Sequence, residues 1–350
     1  MKDLLKFRVK AFALIAILLL SVVGGLSAKK IAIIDAGSSG SRLYVYDIDV
    51  NTKVLTVLYP IGEVQKAASK GDTLSKIDNN QTAVTSFLTT MTSRYKVPED
   101  EAIDLYVLAT AGMRLVNGVT ASEIYDKMGR TSLTGYELKG AMTISGQYEG
   151  LYAWIAANYK NGKLRWTESR WSLDGTYGIL EIGGASMQIA FIAPGHHSKN
   201  CIAHSKFGQI YSKSYLGGGA DQVFEKNSPT PQSYFGVILD DIEGMFSSNT
   251  EFIGLGTPIK VASEKALGLS CTALNRYVST MNSSNHIDTQ ANYHPKINAE
   301  YMMYVFNVCG LDEKIKLAEK MSDWTEGAAI DIVINGKQPE PFNYPPAIPN

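Results

Sequence analysis

The alternation of apolar and polar segments along the chain predicts an α/β protein. Residues 30–34 and 43–46 are rich in strand-forming side chains, so we expect two short strands around a Gly/Ser turn. Apolar residues recur at helical spacing at Val84, Phe87, Leu88, Met91 and Tyr95, which predicts an amphipathic helix. Pro98 should end this helix. A further buried strand is expected at 104–108.

The turn between the first two strands combines a carboxylate with small residues. Asp35 ends the first strand, and the turn then offers backbone N–H groups and hydroxyls that can converge on a phosphate. A carboxylate beside a bound phosphate needs a cation between the two, so the turn indicates a divalent-metal phosphate site. Its phosphate-binding residues are predicted to be Gly37, Ser38, Ser39, Gly40 and Ser41.

The same arrangement occurs a second time. A strand at 177–182 carries Glu181 near its end, and a returning strand is expected at 187–192. The turn between them contains Gly183, Gly184, Ala185 and Ser186. A repeated strand, acid, turn and strand predicts two homologous lobes whose turns face one cleft.

Two segments between the turns carry further candidate chemistry. A predicted strand leads into a turn of small residues that contains Thr110 and Ala111, a further place where donors can converge on an anion. Ser145 is suited to cap a helix whose first turn holds Glu149. This carboxylate could act as a base, although an acid at a helix N-terminus is also favoured electrostatically without any further role.

Composition agrees with two globular lobes. The chain has 350 residues, of which 45% are hydrophobic and 19% charged. Its net charge is −1 and no long basic stripe is present, which argues against nucleic acid as a partner.

The N-terminus indicates export. Basic residues precede an apolar stretch at 11–23 and small residues up to Ala28, so residues 1–28 are predicted to be a signal peptide and the protein to be secreted or periplasmic. The alternative is an uncleaved membrane anchor, but the stretch is shorter than the about 20 residues that span a bilayer. In an oxidising compartment Cys201, Cys271 and Cys309 allow one disulfide, and we favour the pair Cys271–Cys309.

The ordered set of these blocks resembles the apyrase-conserved regions of the nucleoside triphosphate diphosphohydrolase (apyrase) family. The first and fourth blocks alone fit the wider actin/hexokinase/Hsp70 superfamily, whereas the whole set is more specific. The blocks are DAGSSGSR at 35–42, ATAGMR at 109–114, ISGQYEG at 144–150, EIGGASMQ at 181–188, SYLGGG at 214–219 and DWTEGAA at 323–329.

This resemblance implies two ribonuclease-H-like (actin-like) lobes with a central active-site cleft. We expect an N-terminal lobe at 29–150, a C-terminal lobe at 151–320 and a segment at 321–350 that returns to the N-terminal lobe. The family hydrolyses nucleoside tri- and diphosphates with Ca²⁺ or Mg²⁺, so the expected partners are these nucleotides.

The resemblance also implies a role for each matching residue. Glu149 would be the general base on the attacking water, and Thr110, Ala111, Ser186 and Gln188 would orient that water and the terminal phosphate. Asp35 and Glu181 would hold the metal, mainly through its water molecules.

Two departures from the family pattern leave alternatives open. Glu181 stands where the family has Asp, and residues 259–265 lack the aromatic side chains that stack on the nucleobase in relatives. Other aromatic residues that could contact a base are Tyr234, Phe235, Tyr277 and Tyr293. The alternatives are an exopolyphosphatase-type phosphohydrolase, a nucleotide-dependent conformational switch and a nucleotide-binding module without activity.

Overall fold

The computed structural model describes residues 28–196, 198–225, 242, 244–280 and 295–345. Residues 1–27, which hold nearly all of the predicted signal peptide, lie outside this range. Within the described residues, no helix is long and apolar enough to cross a bilayer.

The first lobe is built on a five-stranded sheet of order β3-β2-β1-β4-β5. β1 pairs antiparallel with β2 and parallel with β4, and β5 extends the parallel part. Helices cover both faces of the central strands, which explains why they are almost continuously apolar. The strands are β1 (Ala28–Gly37), β2 (Gly40–Asp49), β3 (Val54–Tyr59), β4 (Ile103–Ala109) and β5 (Tyr136–Thr143).

The second lobe repeats this order in a sheet of order β10-β11-β9-β8-β12-β13. Apart from the added edge strand β10, each strand has a counterpart in the first sheet, and β8 pairs antiparallel with β9 and parallel with β12. A separate hairpin joins β6 (Arg165–Thr167) and β7 (Arg170–Ser172). The sheet contains β8 (Gly178–Ile182), β9 (Ser186–Ile192), β10 (Cys201–His204), β11 (Gly208–Leu216), β12 (Phe252–Leu255) and β13 (Ile315–Leu317).

Two helices cross at the centre of the molecule, and a glycine permits their close approach. A Cβ atom on Gly327 of α10 would lie 1.9 Å from the carbonyl oxygen of Tyr152 on α5. The described helices are α1 (Gly62–Ala68), α2 (Gln81–Thr92), α3 (Ala111–Arg114), α4 (Gly118–Gly129), α5 (Gly146–Lys160), α6 (Ala220–Glu225), α7 (Thr257–Ala266), α8 (Cys271–Thr280), α9 (Pro295–Val308) and α10 (Trp324–Val333).

The predicted elements exist, with different bounds. β1 and β2 extend into the predicted turn, so that Ser38 and Ser39 alone connect the paired residues Gly37 and Gly40. The lobe boundary predicted at residue 150 falls inside α5.

The end of the described chain contacts the first lobe. The N–H of Phe342 donates to the carbonyl of Thr143 at 2.7 Å, and the hydroxyl of Tyr344 donates to the carbonyl of Met113 at 2.9 Å. Both acceptors lie at the carboxyl side of the first sheet, beside the start of α5.

The preferred disulfide Cys271–Cys309 is not formed in this structure, in which none of the three cysteines is part of a disulfide. The sulfur of Cys271 faces the side-chain oxygen of Asn307 at 3.6 Å, whereas Cys309 is buried in the core of the second lobe. The two cysteines therefore lie in different surroundings, Cys271 at the start of α8 and Cys309 just beyond α9.

Candidate active site

The two turns line one cleft with a volume of about 710 Å³. They lie at the carboxyl ends of the equivalent strands β1 and β8, so the repeated topology brings them face to face. A Cβ atom on Gly184 would lie 3.1 Å from the hydroxyl of Ser38, which shows how closely the turns approach. The cleft is lined by the predicted residues Asp35, Gly37, Ser38, Ser39, Gly40, Thr110, Ala111, Glu149, Glu181, Gly183, Gly184, Ala185, Ser186 and Gln188.

Ser41 is the exception among the predicted phosphate-binding residues. Its side chain is fully buried, and its backbone forms an isolated bridge with Gly71. Ser41 lies on β2 opposite Ala36, beyond the two-residue turn, and it does not line the cleft, so its role in phosphate binding stays a prediction.

A glycine-rich segment supports the second turn from behind. The N–H groups of Ala220 and Asp221, at the start of α6, donate to the carbonyls of Gly183 and Gly184, each at 2.9 Å. A Cβ atom on Gly219 would lie 2.3 Å from the carbonyl carbon of Gly184. This close contact explains Gly219, the last glycine of the block at 214–219, for which the sequence alone offered no structural reason.

Glu149 lies in the first turn of α5, and its side chain is largely buried at the cleft. Ser145 caps the helix as predicted, since its hydroxyl accepts a hydrogen bond from the N–H of Tyr148 at 3.3 Å. Burial raises the pKa of Glu149, and the guanidinium of Arg114, which donates to its carboxylate, opposes that rise. The carboxyl group is therefore suited to exchange a proton.

Ser186 and Gln188 form a hydrogen-bonded group beside Glu149. The amide nitrogen of Gln188 donates to the hydroxyl of Ser186 at 2.7 Å and to that of Ser214 at 3.2 Å. Arg114 reaches both serine hydroxyls at 3.4 Å. Neither Arg114 nor Ser214 was singled out in the sequence, although both stand inside the resembling blocks.

Asp35 and Glu181 each carry a buried oxygen without a hydrogen-bond partner, Oδ1 and Oε2 respectively. Burial, opposed by Arg42, raises the pKa of Asp35 to about 7. Burial and the negative charge of Glu149 raise the pKa of Glu181 well above its ordinary value. Such acceptors fit a cation between the two turns, because buried charges are normally paired.

The described residues contain no group of three His, Cys, Asp or Glu side chains placed to ligate one ion directly. Two carboxylates and intervening water molecules suit hydrated Mg²⁺ or Ca²⁺.

Asp323 adds a further carboxylate to the cleft, and sequence reasoning missed it. Its side chain accepts a hydrogen bond from Tyr44 at 3.0 Å and pairs with Lys66 at 2.7 Å. Asp323 is also the N-cap of α10, which holds it at the start of that helix. Asp323 is the first residue of the block at 323–329, so membership of that block was the sequence signal that could have identified it.

The described part of the cleft offers little aromatic surface for a nucleobase. Trp324 lines it but is almost fully buried and stacks on Tyr152, with ring centroids 6.4 Å apart. Tyr277 packs against the core of the second lobe instead. The other three candidates, Tyr234, Phe235 and Tyr293, lie outside the described residues.

The two lobes with turns facing a central cleft define a protein of the actin-like class. Nucleoside triphosphate hydrolases from Neospora caninum have a similar solved structure, with a TM-score of 0.60 and 12% identity over 94% of this chain and 97% of that chain. The PPX-GPPA enzyme of Aquifex aeolicus gives a TM-score of 0.54 and 13% identity over 87% and 99%. These similarities support the predicted fold.

The chain belongs to the GDA1/CD39 (nucleoside phosphatase) family, which matches residues 27–232 and confirms the resemblance seen in the sequence. It is 33% identical over 215 residues to ectonucleoside triphosphate diphosphohydrolase 2 of Mus musculus, covering 55% of this chain and 42% of that protein. Probable apyrase 4 of Arabidopsis thaliana is 31% identical over 208 residues, with coverage of 56% and 40%. The matched region spans about two-fifths of the length of these relatives.

Proposed function

We propose that this protein is a divalent-metal-dependent hydrolase of nucleoside tri- and diphosphates that releases terminal phosphate and yields the nucleoside monophosphate. The observation that carries the proposal is the position of Glu149, a buried carboxylate at the cleft between two glycine-rich turns. A binding module needs the turns alone, whereas hydrolysis also needs a group that accepts a proton from water. The names of the related proteins support the same substrate class.

In this mechanism Glu149 accepts a proton as water attacks the terminal phosphorus. Ser186 and Gln188, already joined by a hydrogen bond, orient the water together with Thr110 and Ala111. The N–H groups of the two turns hold the phosphate oxygens. Phosphoryl transfer requires little covalent participation by the protein, so this positioning accounts for most of the expected catalysis.

Asp35 and Glu181 would hold Ca²⁺ or Mg²⁺, mainly through water, with their partnerless buried oxygens facing the ion. Such an ion neutralises negative charge on the phosphates when it is bound. The longer side chain of Glu181, where the family has Asp, is accommodated because hydrated cations leave freedom in ligand length.

The same proposal places the protein outside the cytoplasm. Its support is the basic and apolar pattern of residues 1–28 and the occurrence of ecto-enzymes among the relatives. We also propose that the segment at 321–350 belongs to the N-terminal lobe, on the strength of the contacts that Phe342 and Tyr344 make there.

The test is phosphate release by the purified protein from ATP, ADP, GTP, UDP, pyrophosphate and polyphosphate, each with Ca²⁺, Mg²⁺ or EDTA. The proposal expects release from both tri- and diphosphates that EDTA abolishes. Release from polyphosphate alone would instead favour an exopolyphosphatase. Saturable nucleotide binding without turnover would favour a switch or an inactive module, and either result would overturn the proposal.

A further inference from the structure

Arg114 connects Glu149 to a group of polar side chains from the other lobe. It ends α3 in the first lobe, and its Nη2 donates to the carboxylate of Glu149. The same guanidinium reaches Ser186 on β9 and Ser214 on β11, both at 3.4 Å. One side chain therefore spans the lobes at the point where the attacking water is expected.

The surroundings of Arg114 are built for a guanidinium. Its side chain is 3% exposed, and that of Glu149 is 10% exposed. A Cβ atom on Gly146 would lie 2.2 Å from Nη1 of Arg114, so a glycine is needed beside the ion pair. Because a guanidinium is planar and presents several donors in a fixed geometry, it can serve three acceptors in a way that a lysine ammonium cannot.

The charges around Glu149 show what Arg114 adds. The negative charge of Glu149 contributes to the raised pKa values of Asp35 on β1 and Glu181 on β8, so the three acids are electrostatically coupled across the cleft. Burial disfavours the ionised carboxylate as well, and Arg114 is the group that opposes it. Without this cation, Glu149 would be less able to accept a proton from water.

We propose that Arg114 is a positioning residue that keeps Glu149 ionised and aligns it with Ser186 and Gln188 through Ser214. The inference rests on the proposed function, since it assigns Arg114 a part in the same water attack. A purely structural ion pair would affect only folding, whereas a positioning role of Arg114 predicts an effect on the turnover of correctly folded protein.

The test compares Arg114→Met and Arg114→Lys with the matched exposed control Arg130→Met. We expect kcat to fall at least ~100-fold in Arg114→Met and about tenfold in Arg114→Lys, with KM changed less than about threefold, since a group that acts only in the transition state affects kcat. The acid limb of the pH–rate profile should move to higher pH in Arg114→Met and stay in place in Ser214→Ala and Arg130→Met. Arg114→Lys keeps the charge and serves as the folded variant if Arg114→Met does not fold.

Infrared titration of the Glu149 carboxylate, identified by its loss in Glu149→Gln, separates this inference from the proposed function. We expect an ionised band at neutral pH in the unsubstituted protein and its replacement by the protonated band in Arg114→Met. Absence of nucleotide hydrolysis would overturn the function while leaving this titration interpretable. An unchanged band, or a kcat per folded molecule that Arg114→Lys leaves unaltered, would overturn the role of Arg114.

Discussion

The helices α5 and α10 occupy equivalent places in the repeated order of elements, since each follows the last parallel strand of a sheet along the chain. Each begins with a capping side chain, Ser145 or Asp323, and each carries an acid in its first turn. Glu149 on α5 lines the cleft and meets Arg114 from the neighbouring turn. Glu326 on α10 does not line the cleft.

Glu326 is instead occupied by structural contacts. It closes a capping box with Asp323 and pairs with Lys160 at the end of α5 at 2.7 Å. Equivalent positions in the repeated fold therefore do not give the two acids the same role. The surroundings decide it, since Glu149 meets the guanidinium of Arg114, whereas Glu326 meets a helix cap and a lysine.

Removing each acid in turn tests whether Glu149 and Glu326 have different roles. We expect Glu149→Gln to lower kcat for ADP at least ~100-fold with the fold intact, because positioned general-base catalysis contributes about 10²–10⁴-fold. Glu326→Gln should keep kcat within about threefold and lower the free energy of unfolding by about 1 kcal/mol through its weakened cap. Steady-state kinetics and urea unfolding check both. Similar losses of kcat in the two variants would refute the division of roles.

The glycines behind the two turns allow a second comparison of the lobes. Gly219→Ala should weaken nucleotide binding about tenfold, since overpacking against backbone atoms costs about 1–3 kcal/mol. Gly112→Ala should have a smaller effect, because its Cβ would lie 2.9 Å from Cα of Ser38, against 2.3 Å for the contact of Gly219 with Gly184. Gly129→Ala, at the end of α4 and away from the cleft, meets no atom within 4 Å and is the control. KM and inhibitor titration measure the order, and the reverse order would contradict it.

The pH dependence of activity distinguishes the two acids once more. Burial raises the pKa of Glu149, and Glu149 must be ionised to accept a proton, so activity should be lost as pH falls through a value above the ordinary range of a glutamate. Profiles of kcat/KM for the unsubstituted protein and for Glu326→Gln should share this acid limb. An acid limb that moves in Glu326→Gln would contradict the assignment of this titration to Glu149 on α5.

The smallest expected effect concerns the acids at the turns themselves. Glu181→Asp shortens the ligand by one methylene and should alter the ratio of Ca²⁺- to Mg²⁺-supported activity by about threefold without abolishing it, because Mg²⁺ tolerates less freedom in geometry. Asp35→Glu is the matched change in the other lobe. Parallel metal titrations compare them, and an unchanged ratio in both variants would contradict a role for these side chains near the ion.

Local signals in the sequence predicted much of the fold. The apolar strands beside each turn, the cap at Ser145 and the position of Glu149 in the first turn of its helix all follow from neighbouring residues. The repeat of strand, acid and turn also indicated two lobes, which the sheet orders confirm. Ser41 was expected in the turn, but it does not line the cleft because β2 begins as early as Gly40.

The parts of the site that escaped prediction depend on distant residues. Arg114 and Glu149 are 35 positions apart, and Lys66 and Asp323 are 257 apart, so the sequence contains no periodic signal for either pair. The equivalence of α5 and α10 becomes visible only when the sheet orders are aligned. Likewise, no local pattern joins the buried His204 of β10 to Asp331 of α10, with which it is paired at 2.9 Å.

Glu149 is proposed to activate water for attack on the terminal phosphorus. Hydrolysis of ADP in ¹⁸O-labelled water, with Ca²⁺ or Mg²⁺ and analysis of both products by mass spectrometry, tests it most directly. The account predicts one ¹⁸O atom in the released phosphate, none in AMP, and loss of this product in Glu149→Gln but not in Glu326→Gln. Label in AMP, or undiminished labelled phosphate from Glu149→Gln, would contradict it.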